Sequence, residues 1–116
     1  MVKHNKIVKD GELIAFMFLQ RDGLTILETN WKFRKAEVDI IAQKDGLLIF
    51  IEVQTRSSTK YGKPSDAIDK KKIRLYKDAV EAYLEQNPRE LDIRFDVINI
   101  IIGKDEAEIE HIPNAF

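Results

Sequence analysis

Apolar side chains recur along the chain in changing rhythms, and the rhythms change at turn-forming residues. From about Ile7 to Arg21, Leu13, Ile14, Phe16, Met17 and Leu19 fall at the spacings of an amphipathic helix, which Asp22-Gly23 ends. Three strand-like runs follow. Thr25 to Phe33 is the first, Ala36 to Gln43 alternates polar and apolar side chains, and Leu47 to Thr55 is β-branched and apolar at its centre. Asp45-Gly46 joins the last two as a two-residue hairpin turn. The polar stretch Thr55 to Pro64, with Gly62, reads as a loop. Pro64-Ser65 then offers an N-cap, and Asp66 and Asp69 fall in a first turn where the helix dipole favours acids. This second helix runs to about Gln86 and ends before Asn87-Pro88. Ile93 to Ile102 and Glu108 to Ile112 complete an α-β-β-β-α-β-β order. That order predicts an α/β fold with a mixed central sheet flanked by helices.

The second hairpin carries the chemistry. With Asp45 and Gly46 as its loop, Lys44 faces Leu47 and the numbers of every facing pair add to 91. Asp39 then faces Glu52, and Glu37 faces Gln54. Strand alternation groups Glu37, Asp39 and Ile41 with Phe50, Glu52 and Gln54. The opposite face, with Val38, Ile40, Ala42, Ile49, Ile51 and Val53, is core. Carboxylates facing each other across an antiparallel pair cost roughly 0.2–1 kcal/mol even when solvated. Burial raises the cost unless a cation or a shared proton relieves it. A hard divalent ion, Mg2+ or Mn2+, does so, because magnesium takes one or two carboxylates together with waters and phosphate oxygens. The plainer alternative is an exposed face on which the acids stand idle.

Two further residues break their local pattern. Glu12 lies near the apolar stripe of the first helix, and Lys72 stands inside the stripe Ile68, Lys72, Leu75, Ala79, Ala82 of the second. Each alone is accounted for by a local ion pair or by snorkelling. Together with the hairpin they point to one polar pocket, with Glu12, Asp39 and Glu52 as metal ligands and Glu37 either supporting them by hydrogen bonding or touching the metal itself. Such a pocket suits phosphodiester hydrolysis. The metal polarises the phosphoryl oxygen and acidifies a bound water. Gln54, Lys72 or Arg56 orients that water or steadies the developing charge.

Composition narrows the choice. The 116 residues suit a single domain, 1–116. No run of about 18 apolar residues predicts a membrane span, and no secretory leader opens the chain, so a cytoplasmic location is expected. The absence of cysteine excludes disulfides, thiolate catalysis and cysteine-ligated zinc. No small-molecule cofactor is expected. Net charge is only −1, but Gln54 to Lys77 holds eight basic residues against two acidic ones, a net +6 that leaves −7 elsewhere. Arg56, Lys60, Lys63, Lys70, Lys71 and Arg74 are therefore candidate contacts to a nucleic-acid backbone. A solvated lysine-rich helix face is the competing explanation. His4 and His111 have no partner at metal-ligand spacing and read as structural or surface residues. Trp31, Phe33 and Phe95 read as core packing, with base stacking as the lesser alternative.

Glu37-Val38-Asp39-Ile40-Ile41-Ala42, followed by Ile49-Phe50-Ile51-Glu52-Val53-Gln54-Thr55-Arg56, resembles the motif of the bacterial YraN-like family, uncharacterised protein family 0102. That family is similar in turn to archaeal Holliday-junction resolvases and the restriction-endonuclease-like superfamily. Gly11-Glu12 with Ala15 and Leu19, Asn30, Lys72-Ile73-Arg74-Leu75, Arg94-Phe95-Asp96-Val97 and Asn114-Ala115-Phe116 extend the likeness over nearly the whole chain. The resemblance implies a restriction-endonuclease-like αβββαβ core, magnesium dependence, DNA as substrate and a homodimer. It places the superfamily's acidic motif on Asp39, its Glu-x-Lys on Glu52 and Gln54, and the resolvases' helix carboxylate on Glu12. Gln54 departs from the pattern. A neutral amide stabilises a charged transition state less than an ammonium does, and Lys72 is a second source of that charge. Three readings stay open: a metal-dependent DNA nuclease, a non-catalytic nucleic-acid-binding module, and a protein-interaction domain.

Overall fold

The computed structural model describes residues 2–57 and 70–116, with side chains from Lys9 onward. Its elements are α1 (Val2–Arg21), β1 (Thr25–Phe33), β2 (Ala36–Lys44), β3 (Leu47–Arg56), α2 (Lys70–Gln86), β4 (Asp92–Ile102) and β5 (Ala107–Ile112). The expected N-cap at Pro64-Ser65, with Asp66, Ile68 and Asp69, lies outside the described residues. Strand order across the sheet is β1-β2-β3-β4-β5. All neighbours run antiparallel except β3 and β4, which are parallel and joined through α2. This is the αβββαβ core of restriction-endonuclease-like folds, with β5 added beside β4. No described helix is long and apolar enough to cross a membrane.

The Asp45-Gly46 turn forms as its chemistry requires. Both residues are left-handed, with φ of 50° and 80°, the geometry that lets a two-residue loop follow the strand twist. Facing pairs run from Lys44↔Leu47 to Ile40↔Ile51, in the register expected from the turn.

Both faces of the sheet are covered. On one, Ala15 and Leu19 of α1 pack on Ile40, Ala42, Ile49, Ile51, Ile98 and Ile100. On the other, Tyr76, Ala79, Val80 and Tyr83 of α2 pack on Val38, Ile41, Leu48 and Phe50. The strands between the helices therefore carry consecutive apolar residues, as strands buried on two sides do. Two expected helix stripes are shifted. In α1 the buried line is Gly11, Ala15 and Leu19, whereas Leu13 and Met17 are 58% and 55% exposed. In α2 the buried line passes through Tyr76 and Tyr83, leaving Lys72 and Leu75 at its border. Tyrosine rings are largely apolar area, and two of them outweigh an aliphatic stripe that would have to bury an ammonium.

Gly11 sets the approach of α1 to β3. A Cβ there would lie 2.6 Å from Thr55 Cγ2 and 2.9 Å from Thr55 Cβ. Threonine is β-branched and stiff, so it cannot swing aside. We expect Gly11→Ala to destabilise the fold by about 1–3 kcal/mol through overpacking, although alanine is the better helix former. Urea denaturation checks this, and a stabilised variant would mean that α1 does not sit so close.

A buried ionic cluster ties down the C-terminal residues. Asp96 is fully buried. It accepts two hydrogen bonds from Arg94, both 2.8 Å, and one from the Asn114 N–H at 3.0 Å. His111 Nε2 lies 2.7 Å from the same carboxylate, giving that histidine its structural role. Burial pushes the Asp96 carboxyl up, but the bonds from His111, Arg94 and Asn114 outweigh it and hold it below its ordinary range. Beyond the cluster, the Ala115 N–H bonds the Phe95 carbonyl at 2.8 Å. Phe116 stacks on Phe95 at 4.9 Å and meets Tyr76 at 5.4 Å.

Candidate active site: a carboxylate pocket between β2 and β3

Past Ile40↔Ile51 the two strands part. Ile40 and Ala42 face α1, yet Val38 faces α2, so alternation along β2 breaks at Asp39. The neighbouring ladder passes from Thr29↔Ile40 to Trp31↔Val38, and between them Asn30 takes a φ of 51°. Irregularities of this kind re-aim side chains. The expected grouping of Glu37, Asp39 and Ile41 on one regular face is thereby corrected. Asp39 instead turns its carboxylate toward β3, where Oδ2 accepts the Val53 N–H at 2.8 Å.

The parting opens a pocket of ≈ 410 Å³ that draws on both faces of the sheet. Glu12, Val53 and Thr55 line it from the α1 side; Lys72, Leu75 and Tyr76 line it from the α2 side. Asp39 and Glu52 stand between, with Lys35 and Glu37 at the end near the β1–β2 turn. A helix on each side of the sheet can thus reach the same notch.

Glu52 is 7% exposed, and both of its oxygens are engaged. Tyr76 Oη donates to Oε1 at 2.6 Å, and Lys72 Nζ pairs with Oε2. Burial first, then the Glu52 charge, pushes the Asp39 carboxyl up to about 8, although the Val53 N–H opposes the rise. Glu12 adds to that push. Glu12 itself is raised by burial and by Glu37, and the Tyr76 hydroxyl is raised by burial and by Glu52 and Asp39. The pocket therefore gathers more carboxyls than its neighbours can neutralise, and without a cation Asp39 keeps its proton up to about pH 8.

The structure brings together Glu12, Glu37, Asp39, Glu52 and Lys72. Gln54 and Arg56 are half-buried on β3 and are not among the described lining residues. Gln54 pairs in register with Asn99 of β4. Lys70, Lys71 and Arg74 are exposed on α2, and Lys60 and Lys63 lie outside the described residues. Lys35, Thr55 and Tyr76 were not singled out from sequence. Tyr76 follows Lys72 by four positions, the spacing that puts two side chains on one helical face, and that signal was available.

As to a metal, no three acidic or histidine side chains among the described residues stand grouped closely enough to be a finished ligand set. The donor chemistry nevertheless fits a hard divalent ion, which needs only one or two carboxylates and keeps several waters. Asp39 and Glu52 are the two that fit, with Glu12 across the pocket. Glu52 would exchange a present contact for the ion.

Fold and site together define a restriction-endonuclease-like α/β protein with an acidic pocket where its central hairpin parts. The chain belongs to uncharacterised protein family UPF0102, whose family model matches residues 11–100. It is 47% identical over its full length to a UPF0102 protein of Flavobacterium psychrophilum, covering 98% of that protein. It is 42% identical to one of Christiangramia forsetii, again over the full chain and 98% of the relative. A UPF0102 protein of Syntrophomonas wolfei is 40% identical over 91% of this chain and 93% of its own. These names carry the family and no activity.

Proposed function

We propose that this protein is a metal-dependent nuclease that hydrolyses phosphodiester bonds in DNA, with branched forms as its preferred substrate. The observation that carries the reading is the buried Asp39–Glu52 pair in a notch open to a substrate, with Glu12 opposite. A group whose proton affinity is strongly displaced by burial and a charged partner, and which lies in a cleft, is a candidate for a functional site. When bound, Mg2+ or Mn2+ supplies a polarised phosphoryl oxygen and an acidified water. Asp39 and Glu52 would hold the ion, with Glu12 on the opposite wall of the same pocket as the third carboxylate. Lys72, anchored through Glu52, keeps a positive charge beside the reacting phosphate without reorganisation. Gln54 sits where the superfamily's lysine falls, two residues after Glu52, and would have to turn from outside the described pocket lining to orient the attacking water. Arg56, Lys60, Lys63, Lys70, Lys71 and Arg74 contact the flanking backbone, and Glu37 supports Asp39. A homodimer would present one such site to each strand of a branched duplex.

One observation favours a second reading, a DNA-binding module that does not cut. Gln54 is neutral, and both Glu52 oxygens are already satisfied by Tyr76 and Lys72. Incubation of duplex, single-stranded and four-way-junction DNA with Mn2+ separates the two. Wild type is expected to cleave, and Glu52→Ala and Asp39→Asn to lose about 100-fold or more, the scale of removing charge stabilisation at a reacting centre. Activity that survives both substitutions ends the nuclease reading. Binding without cleavage by wild type leaves the module. Gln54→Lys should preserve or raise cleavage, whereas complete loss would show that the glutamine makes a contact an ammonium cannot.

A further inference from the structure

A second depression adjoins the carboxylate pocket. It measures ≈ 210 Å³ and lies between the β1–β2 turn and α2, with Phe33, Ala36 and Leu75 as apolar walls and Arg34, Lys35 and Asp78 around them. Lys35, Ala36 and Leu75 line both depressions, so they are adjoining compartments of one surface. One is acidic and the other largely apolar. A nucleotide is divided the same way, into a phosphate and a flat base.

We propose that this groove holds an unpaired nucleobase of the strand whose phosphate lies in the carboxylate pocket. The inference rests on the nuclease reading for the phosphate's position and extends it to the form of the substrate. Its volume falls below that of pockets for drug-sized ligands and suits a single ring system. An aromatic series leads into it. Tyr83 meets Trp31 edge-on at 5.3 Å, and Trp31 stacks on Phe33 at 6.5 Å with 11° between the planes. The Arg34 guanidinium lies over the Phe33 ring, 5.1 Å from its centroid. Unpaired bases are held on such aromatic and guanidinium planes. Arg34 and Lys35 add positive charge at the rim, where the sugar-phosphate chain must pass. Asp78 repels a phosphate but accepts from a base's exocyclic amine, which favours entry by the base.

The backbone at Arg34 is an independent sign. Its φ is 54°, a left-handed conformation in which Gly, Asn and Asp are at home. The β2–β3 turn fills its left-handed positions with Asp45 and Gly46. Placing arginine in the equivalent tight turn is unfavourable for the fold, and residues strained in this way gather at binding sites. A base held in a duplex cannot enter the groove. The substrate therefore carries an unpaired nucleotide next to the bond to be cut, as flaps and bulges do, and as a junction does where a pair opens at its crossover.

The test is equilibrium binding by fluorescence anisotropy, with calcium in place of magnesium. The probes are a fully paired duplex, the same duplex with one bulged nucleotide, and that bulge made abasic. Wild type is expected to bind the bulged base about tenfold more tightly than the abasic bulge, the scale of one stacked base. Phe33→Leu should erase that ratio and leave affinity for the paired duplex unchanged. Arg34→Asn should erase it too, while weakening all three complexes by loss of a charge. Because asparagine suits the left-handed backbone, thermal unfolding of Arg34→Asn should match or exceed that of wild type, which separates lost binding from misfolding. Equal affinity of wild type for base and abasic bulges, or a ratio unchanged in both variants, overturns the proposal. Base-dependent binding without manganese-dependent cleavage upholds the groove and removes the nuclease reading. Cleavage indifferent to the bulged base does the reverse.

Discussion

Asp39→Asn is expected to stabilise the metal-free protein at pH 8 by several kcal/mol, up to about 5, while removing metal-dependent cleavage. The folded-state carboxyl titrates at about 8, far above an unfolded aspartate, because burial and the Glu52 charge disfavour its anion. Between roughly pH 4 and 8 the folded chain thus holds a proton that the unfolded chain has released. Metal-free stability must then fall as pH rises through that window and level off above it. Asparagine is neutral throughout. Its carbonyl can keep the Val53 N–H bond, and its amide can donate to Glu52. The gap in stability between variant and wild type should therefore be near zero at pH 4 and grow to its full size above pH 8. Added Mg2+ should narrow it by stabilising only the wild type. Urea denaturation at several pH values, with and without Mg2+, measures every part of this. A gap that does not depend on pH would show that Asp39 is not forced to share the field of Glu52.

The largest loss of stability is expected from Asp96→Ala, about 3–5 kcal/mol. The substitution leaves Arg94 and His111 without their anion and the Asn114 N–H without its acceptor. Its pH window is distinct from that of Asp39. The Asp96 carboxyl is held below its unfolded value, so its contribution is present above about pH 4 and lost as acid reaches its folded value. Wild type should lose that contribution in acid, and the alanine variant has none to lose. The effect also travels. Releasing Asn114 frees Phe116 from Phe95 and Tyr76, and Tyr76 holds Glu52. Weaker Mn2+ binding in a variant that is still folded is therefore expected, read by metal titration at low temperature. A stability loss below about 1 kcal/mol, typical of a surface pair, would refute the buried role of the cluster.

Much of this was readable in the chain itself. β1 spans Thr25–Phe33 as its residue pattern predicts, and Asp45-Gly46 was enough to set the β2–β3 register, because few residue pairs tolerate two successive left-handed positions. The same register led to Asp39 and Glu52. What could not be read was the break in β2. Neither Gly nor Pro marks it, and it depends on Val38 finding room against α2 rather than on a local preference. The tyrosines of α2 were hidden because a hydroxyl lowers their apparent hydrophobicity while the ring still packs. Asp96 was hidden for another reason. An acid in an amphipathic strand looks solvent-facing until Arg94 and His111 are seen around it, and those partners come from packing rather than from period.

Of the sheet's two margins, the outer edges of β1 and β5, the second has a consequence of its own. Among the described residues, β5 pairs on one side only, and most of it is exposed. An unpaired margin invites foreign chains to dock by their backbones and grow into aggregates. Glu108 and Glu110 alternate along this short strand, so an incoming copy would have to bring like charges together. The fold can therefore leave that border uncovered at high concentration, guarded by electrostatic repulsion in place of a capping element.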